Sequence, residues 1–300
     1  MRKPIVSVII PTYNRSIILN RAISSVLSQS YNNIEIIVVD DASKDDTNKM
    51  LNLHDDPRLK YISHRINKGA SAARNRGIKE SKGDLVAFLD DDDEWFPKKL
   101  EKQVSLILNS PSDVGLIYCW MDYYNAEGGI NSYKPTLKGR VFREVLDYQR
   151  IGGCPTLLVK KSVIENVGGF DESLKRGNDG DFIRRVCRKY KVDYVPETLV
   201  KVYVNHGEKR ISDNNSLRFI EIVKANEIKL DKFKIELRNL PEKRSIIYNT
   251  IAKDYIKYHP LYSMKILYGI KFILYSYFIY PRRTSVTIRN FIRKINSIIH

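Results

Sequence analysis

The sequence predicts an α/β fold with a Rossmann-like, mostly parallel central sheet flanked by helices, and a helical C-terminal extension. Three observations predict it. Apolar strand-like runs alternate with helix-spaced segments four times within about the first 110 residues. That alternation gives a doubly wound sheet with right-handed crossovers. Two of the runs end in acids, Asp40-Asp41 and Asp90 to Asp93, and open α/β sheets bind ligands at that carboxyl edge. From Ser216 onward the apolar residues keep helical spacing.

Each element has its own signal. Residues 5–10 (IVSVII) form a buried-strand run that stops at the turn sequence Pro11-Thr12-Tyr13-Asn14. The run is six residues long and Pro11 ends it, so it is read as a first strand rather than a leader segment. Ile17, Ala22, Ile23, Val26 and Leu27 then recur at helical spacing. Residues 34–39 (IEIIVV) are a second strand, with Ser43 and Asp46 as helix-start residues behind it. Residues 59–62 are a weaker third strand, Asn67-Lys68-Gly69 a turn, and residues 70–79 a small-residue helix. Residues 85–89 (LVAFL) follow a Gly-Asp turn and suit a strand buried on both faces. Pro97 opens the next helix.

Beyond it, residues 114–124, 156–159, 192–195 and 199–204 read as strands, and residues 125–140 as a loop. Asn178 or Asp179 stands at the start of a helix continued by Phe182, Val186 and Cys187. Acids there have a structural reading, capping and dipole compensation, besides a catalytic one. The expected division is residues 1–212 for the sheet domain and 213–300 for a helical, basic, Tyr-rich region.

Four adjacent carboxylates repel one another, and a hard divalent cation relieves that repulsion. Such a cation takes one or two carboxylates plus substrate phosphate and water. Asp90 to Asp93 behind a buried strand are therefore candidate metal ligands; the plainer alternative is a solvated acidic turn. Neither G-x-G-x-x-G nor G-x-x-x-x-G-K-[ST] follows the first strand, which disfavours dinucleotide oxidoreductases and P-loop ATPases. Cys119, Cys154 and Cys187 are few, odd in number and far apart. They fit neither a disulfide framework nor a zinc spacing and are expected to be core thiols in a reducing compartment.

The net charge is +16 and is uneven: residues 221–300 carry 16 Lys/Arg against 6 Asp/Glu. An anionic partner for this tail follows, either a membrane surface or nucleic acid. Residues 261–280 are rich in Tyr, Leu and Ile, with Lys271 near the middle. A mid-span lysine opposes a transmembrane helix. Two readings remain open: a helix lying at the lipid interface, and a helix packing on the sheet domain or on a second copy in a homo-oligomer.

The motifs VSVIIPTYNR, IEIIVVDDASKDDT, NKGASAARNRGI, GDLVAFLDDDDEW and GGFDE, in this order, together resemble the family 2 glycosyltransferases of GT-A fold. The resemblance spans roughly residues 6–212. It implies a nucleotide-sugar donor, most often a UDP-sugar, and inversion at the anomeric carbon, of the kind that builds cell-surface polysaccharide. It sets Pro11 and Tyr13 against base and ribose, Asp41 on the uracil, and Asn67, Arg74 and Asp91 in the nucleotide pocket. Asp90, Asp92 and Asp93 match the DXD region that holds Mn2+ or Mg2+, with Asp92 and Asp93 nearest the metal. The family's acidic pair reads Asn178-Asp179 here, leaving Asp179 or Asp181 as the base, with Asp179 favoured. His206 and Arg210 are candidate diphosphate contacts; Gly168, Gly169 and Phe170 are expected to shape the acceptor side, and Trp95 to pack behind the metal loop.

The expected acceptor is a hydroxyl of a glycan or lipid-linked glycan, at the cytoplasmic face of the cell membrane. Polyprenyl phosphate is the alternative acceptor. A non-enzymatic, basic nucleic-acid-binding protein is the competing class; the aspartate cluster opposes it by repelling phosphate.

Overall fold

The first strand, β1 (Val6–Thr12), is buried along its whole length, because apolar residues leave it in both directions. Val6, Val8 and Ile10 join Leu19, Ala22, Ile23 and Val26 of helix α1 (Ser16–Leu27) in one core layer. Ile9 points the other way, against helix α3 (Ala70–Glu80); a Cβ on Gly77 of that helix would come within 2.5 Å of the Ile9 side chain. The computed structural model describes residues 3–52, 54–125, 127–204, 215–258 and 262–280.

Parallel pairing joins β1 to β2 (Ile34–Asp40) and to β4 (Leu85–Phe88), and β2 to β3 (Leu59–Ser63). The acid-tipped ends of β2 and β4 therefore share one sheet edge with the end of β1. Between β2 and β3 lies the short helix α2 (Thr47–Leu51). After β4 come the two-residue strand β5 (Glu94–Trp95) and helix α4 (Lys99–Asn109).

The second half of the sheet is less parallel than expected. Its strands are β6 (Val114–Tyr124), β7 (Ile130–Tyr133), β8 (Leu158–Lys160) and β9 (Lys191–Tyr203). β8 pairs antiparallel with both β4 and β6, β7 with β6, and β5 with β9; β6 and β9 run parallel. The full order is β3-β2-β1-β4-β8-β6-β9-β5, with β7 hanging on β6. The reason is local: β8 is three residues long and enters from a 3-10 turn, Cys154–Thr156, rather than from a crossover helix. Part of the expected 125–140 loop is β7, and the two expected strands between residues 192 and 204 are one continuous β9.

Helices α5 (Phe142–Val145), α6 (Lys161–Val167) and α7 (Asn178–Lys189) belong to this half. Phe182, Ile183 and Val186 of α7 join Ile9, Phe88, Leu116 and Tyr118 in a second core layer on the opposite face of the sheet. All three cysteines are free and buried, as core thiols should be.

By contact the chain divides into two compact units, Met1–Glu208 and Lys209–His300. The second contains α8 (Asn215–Lys232), α9 (Lys234–Arg238), α10 (Pro241–Tyr258) and α11 (Tyr262–Ile279). α11 packs on α10: Tyr268 stacks on Tyr255 at 4.9 Å, and the Ser245 and Ser276 hydroxyls meet at 2.6 Å in a buried pair. Its other face carries exposed Leu267, Ile270, Leu274, Tyr277 and Phe278. Among the described residues no helix is long and apolar enough to cross a membrane.

Candidate active site

The sheet edge brings the sequence's acids together in two groups, each balanced by an arginine. In the loop after β4, Asp91 accepts hydrogen bonds from the Thr12 hydroxyl at 2.8 Å and from Arg15 at 2.7 Å. The same Arg15 nitrogen reaches Asp92 at 3.1 Å. Arg74, on α3, donates to Asp90 at 2.6 Å and lies 3.8 Å from Asp179 at the head of α7. One guanidinium thus touches acids contributed by the two halves of the domain.

Arg74 is itself buried and sits over the Phe170 ring, 5.3 Å from its centre. Burial opposes its charge, yet Cys154, Asp90 and Asp179 hold its pKa above the ordinary arginine value. Its Nε has no hydrogen-bond partner among the described residues. Desolvation pushes the Asp90 carboxyl up; Arg74 opposes this, while Asp179 and Asp92 add to it. Asp91 is raised to about 6, first by desolvation and, against Arg15, by Asp92. Two carboxyls raised in part by the same neighbouring Asp92 leave room for a further positive charge.

That imbalance is the test of fit for a metal. Among the described residues no three His, Cys, Asp or Glu side chains form a ready metal cage. A nucleotide-bound Mg2+ or Mn2+ does not need one, since it is held by one or two carboxylates plus phosphate oxygens. The hard oxygens of Asp90 and Asp92 fit such an ion. Asp93, expected beside Asp92 at the metal, accepts through Oδ1 from the Tyr203 backbone N–H at 3.3 Å. Tyr203 lies under Arg21, 3.7 Å from ring to guanidinium, and Arg21 also donates to the Asp92 carbonyl at 2.7 Å.

Asp179 and Asp181 have different surroundings. Asp179 accepts from the Cys154 backbone N–H at 3.1 Å and is partly exposed. Asp181 is buried and bonded to Arg185 at 2.9 Å. Arg185 in turn donates to the carbonyls of Val167, Gly168 and Gly169. Phe170 is buried: it stacks on Phe182 at 4.7 Å and meets Phe88 edge-on at 5.2 Å. Asn75 fixes it by accepting from its N–H at 2.7 Å and donating to its carbonyl at 2.8 Å.

On the β2 side, Pro11 is buried within β1 and Tyr13 stands at the edge, 42% exposed. The turn carrying Tyr13 is pinned by Asn14, whose N–H donates to Ser43 and whose side chain accepts from the Lys44 N–H. Asp41 accepts from the backbone N–H groups of Lys68 and Gly69 and contacts His64 Nδ1 at 2.7 Å. Its carboxylate therefore holds the turn before α3; Asn67 beside it is exposed. His206 and Arg210 lie outside the described residues.

Several partners left no sequence signal of their own. Arg15 follows the turn motif directly, and a demand for a counter-charge to four aspartates was the one clue to it. Cys154 acts through its backbone N–H, which composition cannot reveal. Trp95 is buried as expected, its indole N–H donating to the Pro155 carbonyl at 2.8 Å. Lys99, entirely buried, sits 3.8 Å over that indole and donates to Gln103 at 2.7 Å. Gln103 in turn donates to the Thr156 carbonyl at 2.8 Å. The Cys154–Thr156 turn that meets Asp179 is thus clasped from behind by residues that follow the aspartate loop.

Residues 7–164 match Glycosyl transferase family 2. An uncharacterised glycosyltransferase of Rickettsia typhi is 34% identical over 230 residues, 74% of this chain and 70% of the relative. The chain belongs to glycosyl transferase family 2, and it is a glycosyltransferase. A putative colanic acid biosynthesis glycosyl transferase of Escherichia coli is 31% identical over 70% of this chain and 76% of its own length. Among solved structures, Staphylococcus aureus TarS in complex with UDP-GlcNAc superposes with a TM-score of 0.61 at 18% identity, over 91% of this chain and 72% of that one. A Pyrobaculum calidifontis mannosyltransferase in complex with GDP-Man and Mn2+ gives 0.59 at 17% identity, over 91% and 75%. At these identities the likeness is one of fold, and the fold is GT-A.

Proposed function

We propose that the chain transfers a sugar, with inversion, from a UDP-sugar to a hydroxyl of a glycan or lipid-linked glycan in cell-surface polysaccharide synthesis. The observation that carries this reading is the single guanidinium of Arg74 between Asp90 and Asp179. It ties the acids of the donor side to the acid of the acceptor side. Similarity to proteins solved with UDP-GlcNAc and with GDP-Man and Mn2+ supports a nucleotide-sugar donor.

Asp179 is the general base. It accepts the proton of the acceptor hydroxyl as that oxygen attacks the anomeric carbon. The carbon–oxygen bond to the acceptor forms while the bond to the diphosphate breaks, and the diphosphate leaves with the electron pair. Attack opposite the leaving group inverts the centre, the geometric logic shared with inverting glycosidases. The Cys154 N–H and Arg74 orient the Asp179 carboxylate. Asp181 supports from behind through Arg185 and the Gly168-Gly169 segment. Tyr13 offers an exposed ring to the base, and Asp41 fixes the turn carrying Asn67 at the same pocket. Asp92 and Asp90 would hold a divalent cation, which supplies positive charge to the departing diphosphate.

Asp179→Asn keeps the shape of the side chain and removes its basicity. Its transfer rate should fall on the order of a hundred- to ten-thousand-fold, with donor affinity unchanged, measured as nucleotide release with acceptor present. Full activity would move the acceptor from a hydroxyl to an anion that needs no base, such as polyprenyl phosphate. The exposed apolar stripe of α11 and the basic tail support a location at the anionic inner face of the cell membrane. The positive charge of the tail is read as facing anionic lipid rather than nucleic acid.

A further inference from the structure

The strand β6 ends in Cys119-Trp120-Met121-Asp122-Tyr123-Tyr124, a stretch with no part in the reaction just described. Side chains alternate between the faces of a strand. Cys119, Met121 and Tyr123 pack into or against the first core layer. Trp120, Asp122 and Tyr124 alternate to the opposite face, where all three are half-buried.

That face is furnished with rings. Trp120 is stacked near Tyr194, with centres 6.4 Å apart and planes 25° from parallel, and its indole N–H is fixed on the Pro135 carbonyl at 2.8 Å. Tyr124 lies 5.6 Å from Tyr203, its partner on β9. Between the two rings stands Asp122. Its Oδ1 is covered and has no hydrogen-bond partner among the described residues, so a ligand hydroxyl meets it when the half-buried carboxylate turns outward. Its cross-strand neighbours are Ser132 on β7 and Lys201 on β9, the latter spent on Glu94 at 3.0 Å. A buried, unpaired carboxylate oxygen needs an explanation, and a missing hydrogen-bonding ligand is one.

We propose that Trp120, Asp122 and Tyr124 form a subsite for a neutral sugar ring of the acceptor, separate from the donor pocket. A pyranose has an apolar C–H face, which suits an aromatic ring, and a rim of hydroxyl donors, which suits an acceptor-only carboxylate. Asp122 offers an acceptor to sugar hydroxyls, Lys134 stands 5.7 Å over the Trp120 ring, and the occupant proposed is an uncharged glycan unit. The position agrees: Tyr203, the ring beside Tyr124, donates its N–H to Asp93 in the aspartate loop. The inference rests on the glycosyltransferase reading for its purpose, and its test does not depend on turnover.

The test is saturation-transfer NMR on the full chain with methyl glycosides of glucose, galactose, mannose and N-acetylglucosamine. UDP affinity is measured separately on the same samples. At least one glycoside should bind the wild type. Asp122→Asn, which preserves shape, and Trp120→Leu should each weaken it about tenfold or more, the scale of a hydrogen bond to a charged group. Melting temperature and UDP affinity should stay at the wild-type level. Glycoside binding that both variants retain, or no binding of any glycoside to the wild type, overturns the proposal. Loss of UDP binding in the wild type would instead sink the donor reading and leave the sugar result legible.

Discussion

Lys99 shows how much a single residue can hide. It is entirely buried, and burial lowers its pKa to about 8 from 10.5, with Cys119 a smaller opposing influence. A lysine whose folded pKa is lowered binds its proton more weakly in the folded state. Its contribution to stability is full above the unfolded value and is lost as pH falls through the folded one. Urea unfolding should therefore show wild-type stability rising from about pH 7 to pH 10 relative to Lys99→Met. The gap should be on the order of 3 kcal/mol, and parallel curves would contradict it. The acids of the site were legible in the sequence because a run of four aspartates behind an apolar strand has few innocent explanations. Their partners were less so: the resemblance set Arg74 in the nucleotide pocket but not between Asp90 and Asp179, and Arg15 and the Cys154 N–H take meaning only from what the fold sets beside them. Asp181 was a candidate base by sequence, and its bond to Arg185 is what sets it apart from Asp179.

Among the elements, the parallel strands and their helices followed from periodicity, since β1, β2 and β4 are buried on both faces and read as unbroken apolar runs. The antiparallel half did not. Strands as short as β8 and β5 leave no period to read, and the pairing of β6 with β8 and β9 is a property of contact across the chain. The close seat of α3 on β1 is equally silent in sequence but carries a prediction. Gly77→Ala would drive a methyl to within 2.5 Å of Ile9, a β-branched side chain with little freedom to move. Thermal or chemical unfolding should show a loss of about 1–3 kcal/mol despite alanine's better helix propensity. Because Arg74 rides on the same helix, donor affinity should fall too. Unchanged stability would mean that α3 can shift outward freely.

Across the whole molecule, charge and apolar surface are divided between the two units. The aspartates belong to the first, while from Tyr255 to the end the chain carries eight basic residues and no acidic one. One face of α11 packs on α10 through Tyr268 and Phe272, and the other carries Leu274 and Phe278 at 44% and 77% exposure; that open face is the part proposed to meet a membrane. Sedimentation with phosphatidylglycerol vesicles should pellet the wild type, and Leu274→Glu with Phe278→Glu should leave it in the supernatant. Equal pelleting of both would return α11 to a purely protein-packing role. The central claim is that the chain folds so that donor-side and acceptor-side acids share one cleft yet do separate work. Calorimetric titration of UDP with and without Mn2+ tests it most directly, in wild type, Asp92→Asn and Asp179→Asn. Mn2+ should strengthen UDP binding in the wild type and in Asp179→Asn but not in Asp92→Asn. An Asp92→Asn protein that keeps the Mn2+ effect, or an Asp179→Asn protein that loses it, would contradict the account.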